Sequence, residues 1–104
     1  MAYNQYHYVI DPAADQKLAE HIEFLARVSE RAAVNLYDEY KKAIEYLESF
    51  PESCPIYYPG IPIDVQLRYK LFSKRYRIVF EIVENKVYAY DVQDCRQDDS
   101  KKII

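Results

Sequence analysis

The chain is predicted to fold as an α+β domain: an antiparallel sheet of about four strands with an N-terminal αα-hairpin packed on one face, in the order β-α-α-β-β-β. Three observations predict it. Residues 5–10, QYHYVI, alternate with the period of a strand. Residues 14–47 repeat apolar side chains every three or four positions, and residues 65–93 return to strand-like runs. With 104 residues there is room for a single domain, residues 1–104, around one modest core.

In the first strand Tyr6, Tyr8 and Ile10 share one face and His7 and Val9 the other. Asp11-Pro12 then reads as a helix start, with Asp11 as N-cap, Pro12 at the first helical position and Asp15 in the first turn. Ala14, Leu18, Ile22, Leu25 and Val28 form the apolar stripe of that helix, bordered by His21. His21 is expected to be partly buried and hydrogen-bonded rather than a metal ligand. Ser29 is placed to cap a second helix, whose stripe is Ala33, Leu36, Tyr37, Tyr40, Ile44 and Leu47 and which ends before Pro51. A linker this short makes the two helices an αα-hairpin. Residues 51–62, PESCPIYYPGIP, hold four of the five prolines and the only glycine, and read as a loop. Strands follow at about 65–72, 76–83 and 86–93, the last two joined by a tight turn at Glu84-Asn85.

Half of the residues are hydrophobic and 30% are charged, the balance of a globular chain rather than a disordered one. No apolar run is long enough to span a bilayer. The N-terminus also lacks the basic start and small-residue cleavage site of a signal peptide, so a cytoplasmic protein without a membrane partner is expected. Cys54, Cys95, His7 and His21 are too scattered for a disulfide framework or a metal motif. Free thiols, no metal and no cofactor are therefore expected. Twelve tyrosines without a tryptophan suit a thin core rimmed by rings whose hydroxyls reach water.

Charge is divided along the chain. Its net value is −3, yet residues 11–52 hold ten acids against five bases, and residues 53–97 hold seven bases against five acids. The helices are thus an acidic half and the sheet a basic one. Arg68, Lys70, Arg77 and Arg96 are the candidate binding residues. Arg68 and Lys70 share a strand face. Arg77 lies inside the next strand, where a guanidinium is costly unless it meets an acid or a groove. Glu81 and Asp91 are the acids expected to meet it. Lys74 and Arg75, in a turn, read as solvated charges that guard a sheet edge.

The motifs QLRYKL, YRIVFEI and VYAYDVQDCRQD, behind a strand and DPAADQKL, resemble the RelE/ParE superfamily of type II toxin–antitoxin toxins. The resemblance covers nearly the whole chain. Its most specific parts are Leu67-Arg68, the run Tyr76 to Phe80, and Arg96. It implies a RelE/ParE-like toxin wrapped by a cognate antitoxin in a hetero-oligomer. Some members cut mRNA on the ribosome and others poison DNA gyrase, so the fold alone does not choose.

Carried over by motif, Arg77 and Arg96 match the phosphate-gripping arginines of the nuclease members and are the catalytic candidates if the chain is an enzyme. RelE-like cleavage also needs a base for the 2′-hydroxyl and an acid for the leaving oxygen. Nuclease members carry a tyrosine or histidine after the last arginine. Here that stretch is QDDSKKII, with neither. Asp64 and Glu81 are left for the base role, and a net charge of −3 opposes approach to RNA.

ParE-like inhibition of a target such as DNA gyrase needs no catalytic residue, only a binding surface, and is the preferred mechanism. An mRNA endoribonuclease, or an inactive member that binds antitoxin and co-regulates transcription, is the alternative. Glu20, Glu23, Asp38, Glu39, Glu45 and Glu48 on the helices suit a protein partner. The basic sheet side around Arg68, Lys70 and Arg77 is expected to take an acidic, partly apolar antitoxin segment that folds on binding.

Overall fold

The computed structural model describes residues 5–96. Strand β1 (His7–Ile10) leads into helices α1 (Pro12–Val28) and α2 (Glu30–Ser49). A 3-10 turn at Pro51–Ser53 and a short strand β2 (Ile56–Tyr57) follow, then β3 (Leu67–Phe72), β4 (Tyr76–Val83) and β5 (Lys86–Asp94).

The caps expected of the helical hairpin form. The Ala13 N–H donates to Asp11 Oδ1 at 2.9 Å, with Pro12 at the first helical position. Ser29 serves both helices: its N–H donates to the Leu25 carbonyl at 2.7 Å, and its Oγ accepts from the Ala32 N–H at 3.2 Å. One extended residue therefore closes α1 and opens α2. Two stripe residues face water instead of the core. Val28 is 76% exposed and Tyr37 47% exposed; α2 turns Leu36, Tyr40 and Ala43 to the core.

The five strands lie in the order β1-β5-β4-β3-β2. The sheet is mixed rather than antiparallel: β1 pairs with β5 in parallel, His7 opposite Lys86 and Ile10 opposite Ala89. The other pairings are antiparallel. A parallel neighbour demands a long crossover, and the αα-hairpin supplies it. The additional strand, β2, lies within the proline-rich stretch expected to be loop, with Tyr57 opposite Leu67.

On the helix side, Phe72, Tyr76, Ile78, Phe80, Val87, Ala89 and Val92 meet Ala14, Leu18, Leu36, Tyr40, Ala43 and Leu47 in the main core. The other face carries a smaller cluster of Tyr57, Leu67 and Val79, with Tyr69 and Tyr90 packed on it. A β-bulge decides which β5 residues face which way. Val79 pairs with Asp91 and Phe80 with Ala89, so β5 spends one extra residue, Tyr90, between them. Strict alternation after Ala89 would have turned Asp91 into the apolar core and Val92 out of it. With the bulge, Val92 is buried in the core and Asp91 and Gln93 lie on the face away from the helices.

Candidate functional site

The face away from the helices, hereafter the open face in the sense only that neither α1 nor α2 packs across it, is centred on Arg77. Across the β4–β5 ladder it stands opposite Gln93, and across β3–β4 opposite Leu71. Its Nε donates to Gln93 Oε1 at 2.6 Å. The guanidinium lies 5.0 Å from the ring centre of Tyr57 and 5.7 Å from that of Tyr69, both cation–π distances. β2 brings Tyr57 to the site and β3 brings Tyr69, and the two rings meet edge to face.

Neither acid expected to meet Arg77 does so. Glu81 accepts from the Tyr90 hydroxyl at 2.7 Å, and that hydrogen bond, with burial, pushes the phenol up to about 12. Asp91, fully buried, accepts from Lys17 of α1 at 2.6 Å and from Gln93 Nε2 at 2.9 Å. Lys17 reaches it from α1, which packs along β5. Gln93 Nε2 also donates to the Tyr57 hydroxyl at 3.1 Å. Among the described residues, Arg77 is thus bonded to a neutral amide and to rings, and to no carboxylate.

The other candidates lie elsewhere. Arg68 pairs with Phe80 and Lys70 with Ile78, both core residues, so these two side chains share the helix-side face. Arg68 donates to the Cys54 carbonyl at 2.6 Å, and the Lys70 ammonium sits 4.4 Å from the Tyr46 ring centre. The expected single basic face of Arg68, Lys70 and Arg77 is therefore split between two sides of the sheet. The reason is the turn: Ser73 and Lys74 both take positive φ, making a tight connection that places Leu71, not Lys70, opposite Arg77.

Arg96, past the end of β5, joins Arg75, His21, Tyr76 and Asp94 around a cleft of about 380 Å³ on the helix side. Its N–H donates to Asp94 Oδ1 at 3.0 Å and its Nε lies 3.5 Å from the same oxygen. Burial disfavours the Asp94 carboxylate, but these bonds outweigh it and hold the group below its ordinary value. His21 packs edge-on against Tyr76, and burial lowers its pKa, with Lys17 adding to the effect. Cys54 is buried and Cys95 exposed, and both are free thiols.

The helix acids are mostly spent locally. Glu23 pairs with Arg27, Asp38 with Lys41 and Glu39 with Lys42, exposed contacts of the kind that contribute under about 1 kcal/mol. Phe24 and Val28 on α1, and Val34 and Tyr37 on α2, are exposed apolar residues of the hairpin.

The model of the ParE toxin of type II toxin–antitoxin system, parDE, matches residues 8–99. The chain belongs to this toxin family. The match covers both helices and all the strands except His7, the first residue of β1, and the family implies an antitoxin as partner. A search of curated proteins returns no match. Among the described residues of this ParE-family chain, no helix is long and apolar enough to cross a membrane.

Tyr57, Tyr69, Gln93 and Lys17 are the site residues that sequence reasoning missed. One signal was available. The apolar positions of β5, Val87, Ala89 and then Val92, break their period of two, which marks the bulge and puts Gln93 on the open face beside Arg77.

Proposed function

We propose that this chain arrests growth by ParE-like binding of a cellular target, DNA gyrase being the candidate, and that a cognate antitoxin neutralises it in a hetero-oligomer. The observation that supports this reading is Arg77, half-buried on a tyrosine-walled face with a neutral partner. Such a residue offers charge and shape to a partner, while acid–base groups around it are committed to other contacts. The exposed apolar residues of the hairpin are the anchors we assign to the antitoxin. Cytoplasmic action and a role in plasmid maintenance belong to the same proposal.

The test is induced expression without antitoxin. Growth arrest with DNA-damage signalling and continued early translation is expected. Ribosome-dependent cuts within codons, mapped by primer extension from purified components, would reject it in favour of nuclease action. That second reading has one arrangement to rest on: His21 in the same cleft as Arg75 and Arg96.

The two arginines carried over by motif are separable by stability. Arg77→Ala removes the hydrogen bond to the buried Gln93 oxygen and is expected to cost about 1–3 kcal/mol. Arg96→Ala, at an exposed side chain, is expected to stay within about 0.5 kcal/mol. Thermal melts and a growth assay are read together. We expect both variants to melt as folded domains and to lose growth arrest. Toxicity surviving in both would remove these arginines from the functional site.

A further inference from the structure

We propose that Arg77, between the rings of Tyr57 and Tyr69, is a carboxylate-binding site for an acidic side chain of a protein partner, and that Gln93, locked by Asp91 and Lys17, is the residue that makes it one. This rests on the reading of the open face as a protein-binding surface and names the chemistry of its ligand.

The orientation of the Gln93 amide carries the argument. Its nitrogen donates to Asp91 Oδ2 at 2.9 Å and to the Tyr57 hydroxyl at 3.1 Å. Its oxygen therefore faces Arg77 Nε. Turned over, the amide would aim its oxygen at a carboxylate and its N–H groups at a guanidinium, two repulsive contacts in a buried place. Lys17 holds the other oxygen of Asp91, so a helix residue on one side of the sheet fixes an amide on the other. The positive charge of Lys17 is matched by Asp91, and that of Arg77 is matched by a dipole alone. A guanidinium so held is rigid, partly desolvated and still charged, which is the state that binds an anion well.

The neighbours choose among anions. Arg68 and Lys70 project to the helix side, so Arg77 is the cation that β3 and β4 present to the open face. A nucleic-acid backbone needs several such contacts to bind, and the chain's net charge of −3 opposes a polyanion. A single glutamate or aspartate needs only one. Around it lie apolar surfaces, Leu71 at 50% exposure and the rings of Tyr57 and Tyr69. They suit an acidic side chain flanked by apolar ones. If position 93 bore a carboxylate, Arg77 would be neutralised internally and the site closed.

The full chain, labelled with 15N-arginine, is titrated with two probes, a peptide of alternating glutamate and leucine and a short single-stranded RNA. The peptide is expected to shift the Arg77 Nε–H signal saturably and less strongly as salt rises, and the RNA to leave it in place. Gln93→Glu should lower peptide affinity by about tenfold or more, the loss of one charged hydrogen bond. Because that variant places two acids side by side in a buried network, which opposes folding, Asp91→Asn/Gln93→Glu is made beside it. The exchange keeps one carboxylate in the network and moves it from Lys17 to Arg77, and it must lose peptide binding as well. Unchanged affinity in the exchanged variant overturns the proposal, and so does RNA moving the Arg77 signal in place of peptide. Growth arrest is scored separately. Peptide binding without arrest leaves the site and removes the toxin mechanism, whereas arrest without a peptide-induced shift removes the site and leaves the toxin.

Discussion

Lys17→Met is expected to destabilise the domain by about 3 kcal/mol, although the position is on a helix and looks from the sequence like a solvated lysine. Its ammonium lies 2.6 Å from Asp91 Oδ1, with the lysine side chain 18% exposed and the aspartate fully buried. Methionine keeps the length of the stem and removes the charge, leaving the buried Asp91 carboxylate without its lysine. Removing one partner of a buried pair costs about 3–5 kcal/mol, far more than the pair contributes over an apolar substitute. A second variant isolates the cause. Lys17→Met/Asp91→Asn removes both charges and keeps an oxygen and an amide in place, so it should recover most of the loss. Chemical denaturation of the three proteins measures this. A double variant as unstable as the single one would mean that the lysine stem, and not the lost ion pair, was responsible.

Phe80→Ala should be at least as damaging, for a different reason. Phe80 is the largest of the fully buried side chains and lies on β4, a central strand, between Ala89 and Arg68 in the ladder. Ala89 is too small to fill the space, and the bulge beside it limits how far β5 can close in. A cavity at such a site costs about 3–5 kcal/mol, and each kcal/mol lowers the melting temperature of a domain near this size by about 4–8 °C. The melt should fall by at least about 12 °C. A fall of only a few degrees would show that the sheet collapses onto the helices more freely than a bulged strand allows.

The parts of the fold written in local chemistry were legible. Asp11-Pro12 and Ser29 announce helix ends because a cap is decided by one or two residues. The β3–β4–β5 strands announce themselves through alternation. Partners were not legible. Nothing in β1 distinguishes a parallel neighbour from an antiparallel one, and Tyr57 sits in a stretch whose prolines argue for loop on either side of a two-residue strand. For Arg77 the expected partners were the nearby acids, since proximity in sequence was the only guide. The structure gives Glu81 to Tyr90 and Asp91 to a lysine 74 residues away. The basic cluster failed for a related reason. Composition places five cations in residues 67–82, but a two-sided sheet divides them, and which side each takes depends on the register across one turn.

The pairing of β1 with β5 has a consequence for biosynthesis. The first strand finds its neighbour only in residues 86–89, after both helices and three other strands have been made, so the contact that closes the sheet is among the last available. Chains emerge at about 5–20 residues per second and fold N-terminal parts first, and pairings this distant in sequence form late. The helical hairpin can assemble while β5 is still inside the ribosome, but the Lys17–Asp91 and Arg77–Gln93 contacts cannot. The surroundings of Arg77 therefore take shape only once residues 86–94 of β5 have been made, well after the hairpin.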